Sequence, residues 1–276
     1  LDNMSEKMEG GTDILSPVHT AESVMLPIPR DTFEKLYLTP KMPIAGNLRR
    51  TFGNPTPISL MGFLVAATPN AMLHMGWRGA GGDGGAILPA FIFFGGMIQV
   101  IGAIGEWILG NTFSCAVFFT YGAFWLAQGA SLMPFFAVGA KYSPTGDAFD
   151  GLETTGYHAT AGLYYITLAL VTLVYLVCSI RTNLCLFLAL FFLVVAYCLY
   201  GAVHFYLAMG KAAFAAKIEM VRCWGMQFRA LHSDMVYICS TNAGAIDFPL
   251  VLPVGDLSEV IQGRTQRARK SAADEA

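Results

Sequence analysis

From about residue 57 onward the apolar positions gather into long runs, and the polar ones are confined to short links and the chain's two ends. Five runs stand out, at about 57–77, 86–109, 112–138, 157–179 and 186–210. A helix rises 1.5 Å per residue, so each run is long enough to cross a hydrocarbon core of about 30 Å. The pattern predicts an all-α integral membrane protein. Residues 1–52 are polar, contain prolines and lack sustained periodicity, which predicts a largely disordered tail. Within it, Phe33-Glu34-Lys35-Leu36-Tyr37-Leu38 is suited to rest on a membrane interface or a neighbouring subunit. The chain opens at Leu1 rather than Met, so an earlier start is expected. No signal peptide is read, because the first apolar run follows this polar stretch.

Tail and bundle meet at Gly53-Asn54-Pro55-Thr56-Pro57-Ile58-Ser59. Two prolines two apart are excluded from a helix interior but suit a helix start, where the first N–H groups have no intrahelical partner. Asn54 is placed to accept from one of those groups.

Composition agrees: 55% of residues are hydrophobic, 13% are charged, and mean hydropathy is +0.53. A soluble domain carries about 25% charged residues. The placement of charge sets topology. Lys41, Arg49 and Arg50 precede the first span and put the tail in the cytoplasm; Lys141, Asp147, Asp150 and Glu153 give an acidic outside loop; Arg181 marks a return inside. The basic C-terminal residues Arg264, Arg267, Arg269 and Lys270 then require an even number of spans. A sixth is expected after Lys211, yet 222–234 holds Arg222, Arg229, His232 and Asp234, and the more apolar 235–254 holds Asp247, Pro249 and Pro253.

The second span carries Gly95, Gln99, Gly102 and Glu106 on one helical stripe. Small residues admit a neighbouring backbone, and Gln99 and Glu106 belong in the protein interior, a pore or a partner interface. A hydrogen-bonded seam and a path wall both fit. The third span aligns Phe118, Tyr121, Trp125 and Gln128, and the first aligns Phe63, Ala67, Asn70 and His74. Aromatics beside amides and hydroxyls on three stripes point to a narrow, mostly apolar passage with a few polar contacts. No Arg or Lys lies deep in the five runs, so a small carboxylate would be held by hydroxyls, amides and helix N-termini. Crossing with a proton, or as the neutral acid, lessens the cost of burying its charge. His158 and His204 are candidate proton carriers, although a structural role fits each better.

Four of the six cysteines (Cys115, Cys178, Cys185 and Cys198) lie in apolar runs and read as small buried fillers. No Cys-x-x-Cys pair or histidine spacing marks a metal site, and no nucleophile–base pair stands out. The Gly-rich stretch 79–85 lacks a following Lys-Ser/Thr and reads as a flexible link. Neither an enzyme nor a cofactor is indicated, nor is a nucleic-acid partner.

Taken together, several pieces resemble the acetate transporter family of fungi and bacteria, also called the succinate–acetate permease or glyoxylate pathway regulator family. They are Asn54-Pro55-Thr56-Pro57-Ile58-Ser59-Leu60, Gly95-Gly96-Met97-Ile98-Gln99, Glu106, Gly110-Asn111-Thr112-Phe113 and Thr120-Tyr121-Gly122-Ala123-Phe124-Trp125-Leu126. The 33–38 patch resembles the fungal branch, and the match resumes at Asp247-Phe248-Pro249-Leu250. Thr56 and Ser59 replace the family's usual small residue and Gly. The resemblance implies a six-helix subunit, assembled as a homo-hexamer in the plasma membrane, that moves acetate and similar short monocarboxylates. It implies a substrate path along Asn54, Pro55, Thr56, Pro57, Ser59, Gln99, Glu106, Asn111 and Thr112. It also implies a constriction at Phe63, Tyr121 and either Leu193 or Tyr200, which are seven residues apart on one helix face. The expected organisation is a tail at 1–52, a transport domain at 53–246 and a cytoplasmic tail at 247–276. The pattern departs at 222–246, read as a frameshift or misjudged intron in the gene or as a degenerate span. An acetate sensor and an ammonia or ammonium exporter are the competing functions.

Overall fold

The computed structural model describes residues 52–245 together with Gly255 and Leu257. The expected N-terminal tail with its 33–38 patch, and the remainder of the C-terminal tail, lie outside the described residues. Among the described residues every regular element is helical.

Helix α1 is Thr56–His74. Asn54 Oδ1 accepts from the Thr56 N–H at 3.1 Å, and Pro57 sits in the first turn, so the expected proline-tolerant start is present. Two 3₁₀ turns, Trp77–Gly79 and Gly82–Ile87, occupy the Gly-rich link. Helix α2 follows as Leu88–Ala90, a π-helical stretch Phe91–Ile98, and Gln99–Ile108. Gly110, at φ 71°, then closes it: its N–H reaches Trp107 O and the Asn111 N–H reaches Glu106 O, both at 2.9 Å. Helix α3 is Thr112–Ser131, α4 the short Ala148–Leu152, α5 Thr155–Ser179 and α6 Leu184–Ala208. Side chains cap the two long ones: Thr154 Oγ1 accepts from Tyr157 N–H and Asn183 Oδ1 from Leu186 N–H. Helix α7, Ala212–Val221, passes through a π-helical stretch Arg222–Gln227 into α8, Phe228–Ala245.

The third expected run, to 138, is the one whose boundary moves most. Its helix stops at Ser131 because Pro134 lacks a donor and cannot continue it. Among the described residues four helical stretches are long and apolar enough to cross a membrane: Thr56–His74, Gly84–Ile108, Thr155–Ser179 and Leu184–Ala208. Helix α3 falls short of them in apolarity because it is enclosed by its neighbours. Val117, Phe118, Tyr121, Phe124 and Trp125 are all buried, so its hydroxyls and amide need not meet lipid. At the doubtful sixth position α8 does form a helix. It packs on α1 and α6 and buries Leu231, Tyr237 and Ile238.

Helices α1 and α2 approach at glycines. A Cβ on Gly62 would lie 2.5 Å from Phe94 O, and one on Gly102 would collide with the Ser59 hydroxyl. Helices α5 and α6 form the other close pair, with Gly162 against Phe205 and Gly201 against Ile166. Between α3 and α5 the link is made by side-chain hydroxyls: Tyr121 Oη donates to Thr172 Oγ1 at 3.0 Å, Tyr165 Oη to Gln128 Oε1 at 3.2 Å, and Thr120 Oγ1 and Tyr175 Oη lie 2.8 Å apart. Large apolar side chains such as Ile101, Leu163, Leu170, Val174 and Val177 point outward, as on the lipid-facing surface of a bundle. Of the four cysteines expected to be buried fillers, Cys185 is buried and Cys115 half-buried, while Cys178 and Cys198 are exposed. In lipid an outward-facing thiol still meets an apolar surrounding.

Candidate substrate path

The implied path residues divide into three groups. At the Asn54 end, Glu106 is wholly buried and held on both carboxylate oxygens. Thr56 Oγ1 donates to Oε1, and Asn111 Nδ2 donates to Oε2 at 2.5 Å. Ser59, one turn on, donates its hydroxyl to Gln99 O at 3.1 Å. Two hydroxyls, a carboxylate and an amide therefore join α1, α2 and the α2–α3 turn. Pro55 is buried against Gly105, while Asn54 and Thr112 are exposed.

One turn deeper lies a cavity of about 30 Å³, walled by five helices. Leu60 and Phe63 come from α1, Gln99 from α2, Val117, Phe118 and Tyr121 from α3, Leu186, Ala189, Leu190 and Leu193 from α6, and Asp234 from α8. By volume it holds about two waters. The Phe63 and Tyr121 rings are 6.2 Å apart, and Tyr121 stacks on Tyr197 at 6.4 Å with 12° between planes. With its hydroxyl committed to Thr172, Tyr121 presents its ring to the space. Gln99 Oε1 is buried without a hydrogen-bond partner among the described residues. Of the stripe Gly95, Gln99, Gly102 and Glu106, only Gln99 reaches the cavity. The glycines take the close contacts with neighbouring helices: a Cβ on Gly95 would lie 2.5 Å from Trp125 Cγ.

The third group sits at the far end of α1. His74 Nδ1 lies 3.2 Å from Glu219 Oε1, and Arg222 Nε donates to Glu219 Oε2 at 2.8 Å. The Arg222 guanidinium lies 4.2 Å over the Tyr200 ring, a cation–π arrangement, and Tyr200 packs 4.0 Å from Tyr165. His204 stacks on Tyr165, and its Nδ1 is 3.2 Å from His158 Nδ1. Leu193 therefore shares a cavity with Phe63 and Tyr121, whereas Tyr200 belongs to this separate cluster. Both candidate proton-carrying histidines already have partners. Among the described residues no group of three His, Cys, Asp or Glu side chains could hold a metal.

Reading the sequence for candidate residues passed over Leu60, Thr172, Tyr197 and Asp234, while Phe118 was already on the third-span stripe. For Leu60 and Tyr197 no signal existed, since an apolar or aromatic residue in an apolar run carries no mark of the face it uses, and Thr172 is one of several hydroxyls in its run. Asp234 did carry a signal. It was counted against a sixth span, but an ionisable residue inside a membrane helix is by default a functional candidate.

A sequence profile described as the GPR1/FUN34/yaaH family matches residues 37–240, a match that continues through most of the atypical 222–246 stretch. Protein alcS of Aspergillus fumigatus is 36% identical over 230 residues, covering 83% of this chain and 84% of the relative. Acetate permease A of Emericella nidulans is 29% identical over 68% of this chain and 59% of its own length. Ammonia transport outward protein 2 of Saccharomyces cerevisiae is 29% identical over 74% and 68%. The solved structure of the bacterial acetate channel SatP is similar with a TM-score of 0.58 and 25% identity, over 74% of this chain and 99% of that one.

Proposed function

The chain belongs to the GPR1/FUN34/yaaH family, and from that premise we propose that it carries acetate and related short monocarboxylates across a membrane. The observation that carries the reading is the cavity where Phe63, Tyr121 and Leu193 converge beside the Gln99 amide, inside a bundle similar to an acetate channel. An apolar wall suits a methyl group, and a single amide suits one end of a carboxyl. The space is too small for a carboxylic acid and its hydration shell, so the acid sheds its water there. An acid that keeps its proton sheds water at far lower cost than its anion. Passage of the neutral acid, or of anion and proton together, follows from that difference.

The Asn54 end forms the cytoplasmic rim in this reading, and six spans return the C-terminal tail to the cytoplasm. Subunits assemble as a hexamer in the plasma membrane, with the outward apolar surfaces shared between lipid and neighbouring copies. Thr56 and Glu106 act on the path by fixing the rim's shape rather than by touching the acid, because each is already engaged by the other.

Labelled acetate uptake by cells carrying and lacking the gene tests the proposal, and uptake above the deletion strain is expected. Equal uptake with an altered growth response to acetate would turn the assignment to a sensor. Export of ammonia or ammonium is the second reading, favoured by the yeast relative and by two oxygen acceptors, Gln99 Oε1 and Asp234, at one cavity. Labelled methylammonium efflux from the same strains distinguishes it.

A further inference from the structure

Asp234 is 5% exposed and lines the central cavity, yet it forms no hydrogen bond or ion pair with any described residue. Two other carboxylates among the described residues are treated differently: the buried Glu106 is clasped by Thr56 and Asn111, and the half-buried Glu219 by Arg222 and His74. Among the described residues, the groups around Asp234 offer it no positive charge. It shares the cavity with Leu60 and Phe63 from α1, the neutral Gln99 from α2, Tyr121 from α3, whose hydroxyl is committed to Thr172, and Leu186 and Leu190 from α6, with the thiol of Cys185 nearby. Among the described residues no Lys, Arg or His lines the cavity. Gln99 Oε1, in the same wall, also lacks a partner among the described residues.

We propose that Asp234 is a substrate-facing carboxyl that shares one proton with the acid in the cavity, and so makes a proton accompany each acid that crosses. The inference rests on the acetate reading. Two carboxylates brought together in an apolar space cannot both be ionised, so one proton resides between them. When Asp234 is protonated its O–H donates to an oxygen of the entering anion; when Asp234 is ionised it accepts from the O–H of the entering acid. Either way a single proton is held between two carboxyl oxygens, no covalent bond to carbon changes, and the proton departs with the acid. A naked anion meeting an ionised Asp234 is repelled. An ionised Asp234 thus excludes the acetate anion without a blocking side chain, and a protonated one admits it only with the shared proton.

The full chain in liposomes tests this, with labelled acetate as probe, protein-free vesicles subtracted, and potentials set by potassium and valinomycin. Wild-type initial uptake is expected to be unaffected by membrane potential, since acid and proton together carry no net charge. Asp234→Asn removes the shared proton and leaves an amide donor, so uptake becomes sensitive to potential. A 100 mV step shifts the equilibrium distribution of a free anion by about 50-fold. Asp234→Glu keeps the carboxyl and should retain the wild-type response. Potential-dependent uptake by the wild type overturns the proposal even if no variant folds, and leaves acetate transport standing. Potential-independent uptake by Asp234→Asn also overturns it, as does loss of methylammonium transport in that variant with acetate uptake unchanged. Absence of wild-type acetate uptake above protein-free vesicles instead removes the acetate reading itself.

Discussion

Glu106 and Asp234 are both carboxylates buried in the same bundle, and their surroundings could hardly differ more. Glu106 has a donor on each oxygen and glycines close beside it, with Gly102 and Gly105 bringing α1 into contact with α2. Asp234 faces a small cavity walled by rings and leucines. Desolvation is offset at the first site by hydrogen bonds to both carboxyl oxygens, and at the second no described residue offsets it. The first carboxylate holds the structure together, and the second leaves its bonding capacity for something that enters. One follows from the other: a site with an unsatisfied carboxyl persists only in a frame that the satisfied one keeps rigid.

The largest effect expected from breaking the contrast is at Glu106. Glu106→Ala strands the Asn111 amide and the Thr56 hydroxyl and opens a void, for a loss of about 3 kcal/mol or more. Thermal unfolding of the detergent-purified protein should show a clearly lowered midpoint, and Glu106→Gln, which keeps one acceptor, a smaller drop. An unchanged midpoint in Glu106→Ala would remove its standing as a structural clasp. Gly102→Ala comes next. Its methyl group collides with Ser59, and overpacking of this type costs about 1–3 kcal/mol. Pairing it with Ser59→Ala should recover part of the loss, because the Ser59 Cβ and N remain 3.1 Å from the new methyl. A double variant no better than the single one would place the strain elsewhere.

How much of this was legible beforehand varies by region. The helix start at Asn54-Pro55-Thr56-Pro57 could be read from local chemistry, because two prolines two apart suit a first turn, although α1 also accommodates the single Pro69 in its interior. The glycine and polar stripe of α2 was legible as a stripe, but its two uses were not separable. Glu106 and Gln99 share a face, and only the positions of Asn111 and Thr56 decide that one is satisfied while the other is not. The choice between Leu193 and Tyr200 was likewise closed to sequence. Both lie on one face of α6, and the Arg222 guanidinium that draws Tyr200 away comes from the helix segment after it. The atypical 222–246 stretch was judged by hydropathy. That criterion describes contact with lipid, and it undervalues a helix whose Arg222 and Asp234 point into protein.

Leu193 and Tyr200 give the next prediction in size. Leu193→Ala enlarges the cavity directly and should raise uptake of butyrate relative to acetate several-fold, as measured by competition against labelled acetate. Tyr200→Ala removes a ring from the Arg222 and His204 cluster and should lower thermal stability with little change in that ratio. The reverse pattern would put the constriction at the other end of α6.

The smallest effect belongs to Tyr121→Phe, and it separates two parts of one side chain. The ring lines the cavity and stacks on Tyr197, while the hydroxyl points away to Thr172. Thr172 itself donates to Leu168 O at 2.7 Å, so deleting the tyrosine hydroxyl removes a donor without stranding the threonine's proton. The net worth of such a bond is about 1 kcal/mol. Tyr121→Phe should therefore lower the unfolding midpoint slightly and leave acetate uptake and its preference over butyrate at wild-type values. Tyr121→Ala, which takes away the wall, should relax that preference at normal surface expression. If Tyr121→Phe alone changed the preference, the hydroxyl would have to turn from Thr172 toward the acid during passage. The polar side of the cavity would then include α3 as well as Gln99 and Asp234, and the satisfied and unsatisfied groups would no longer be divided as the resting structure divides them.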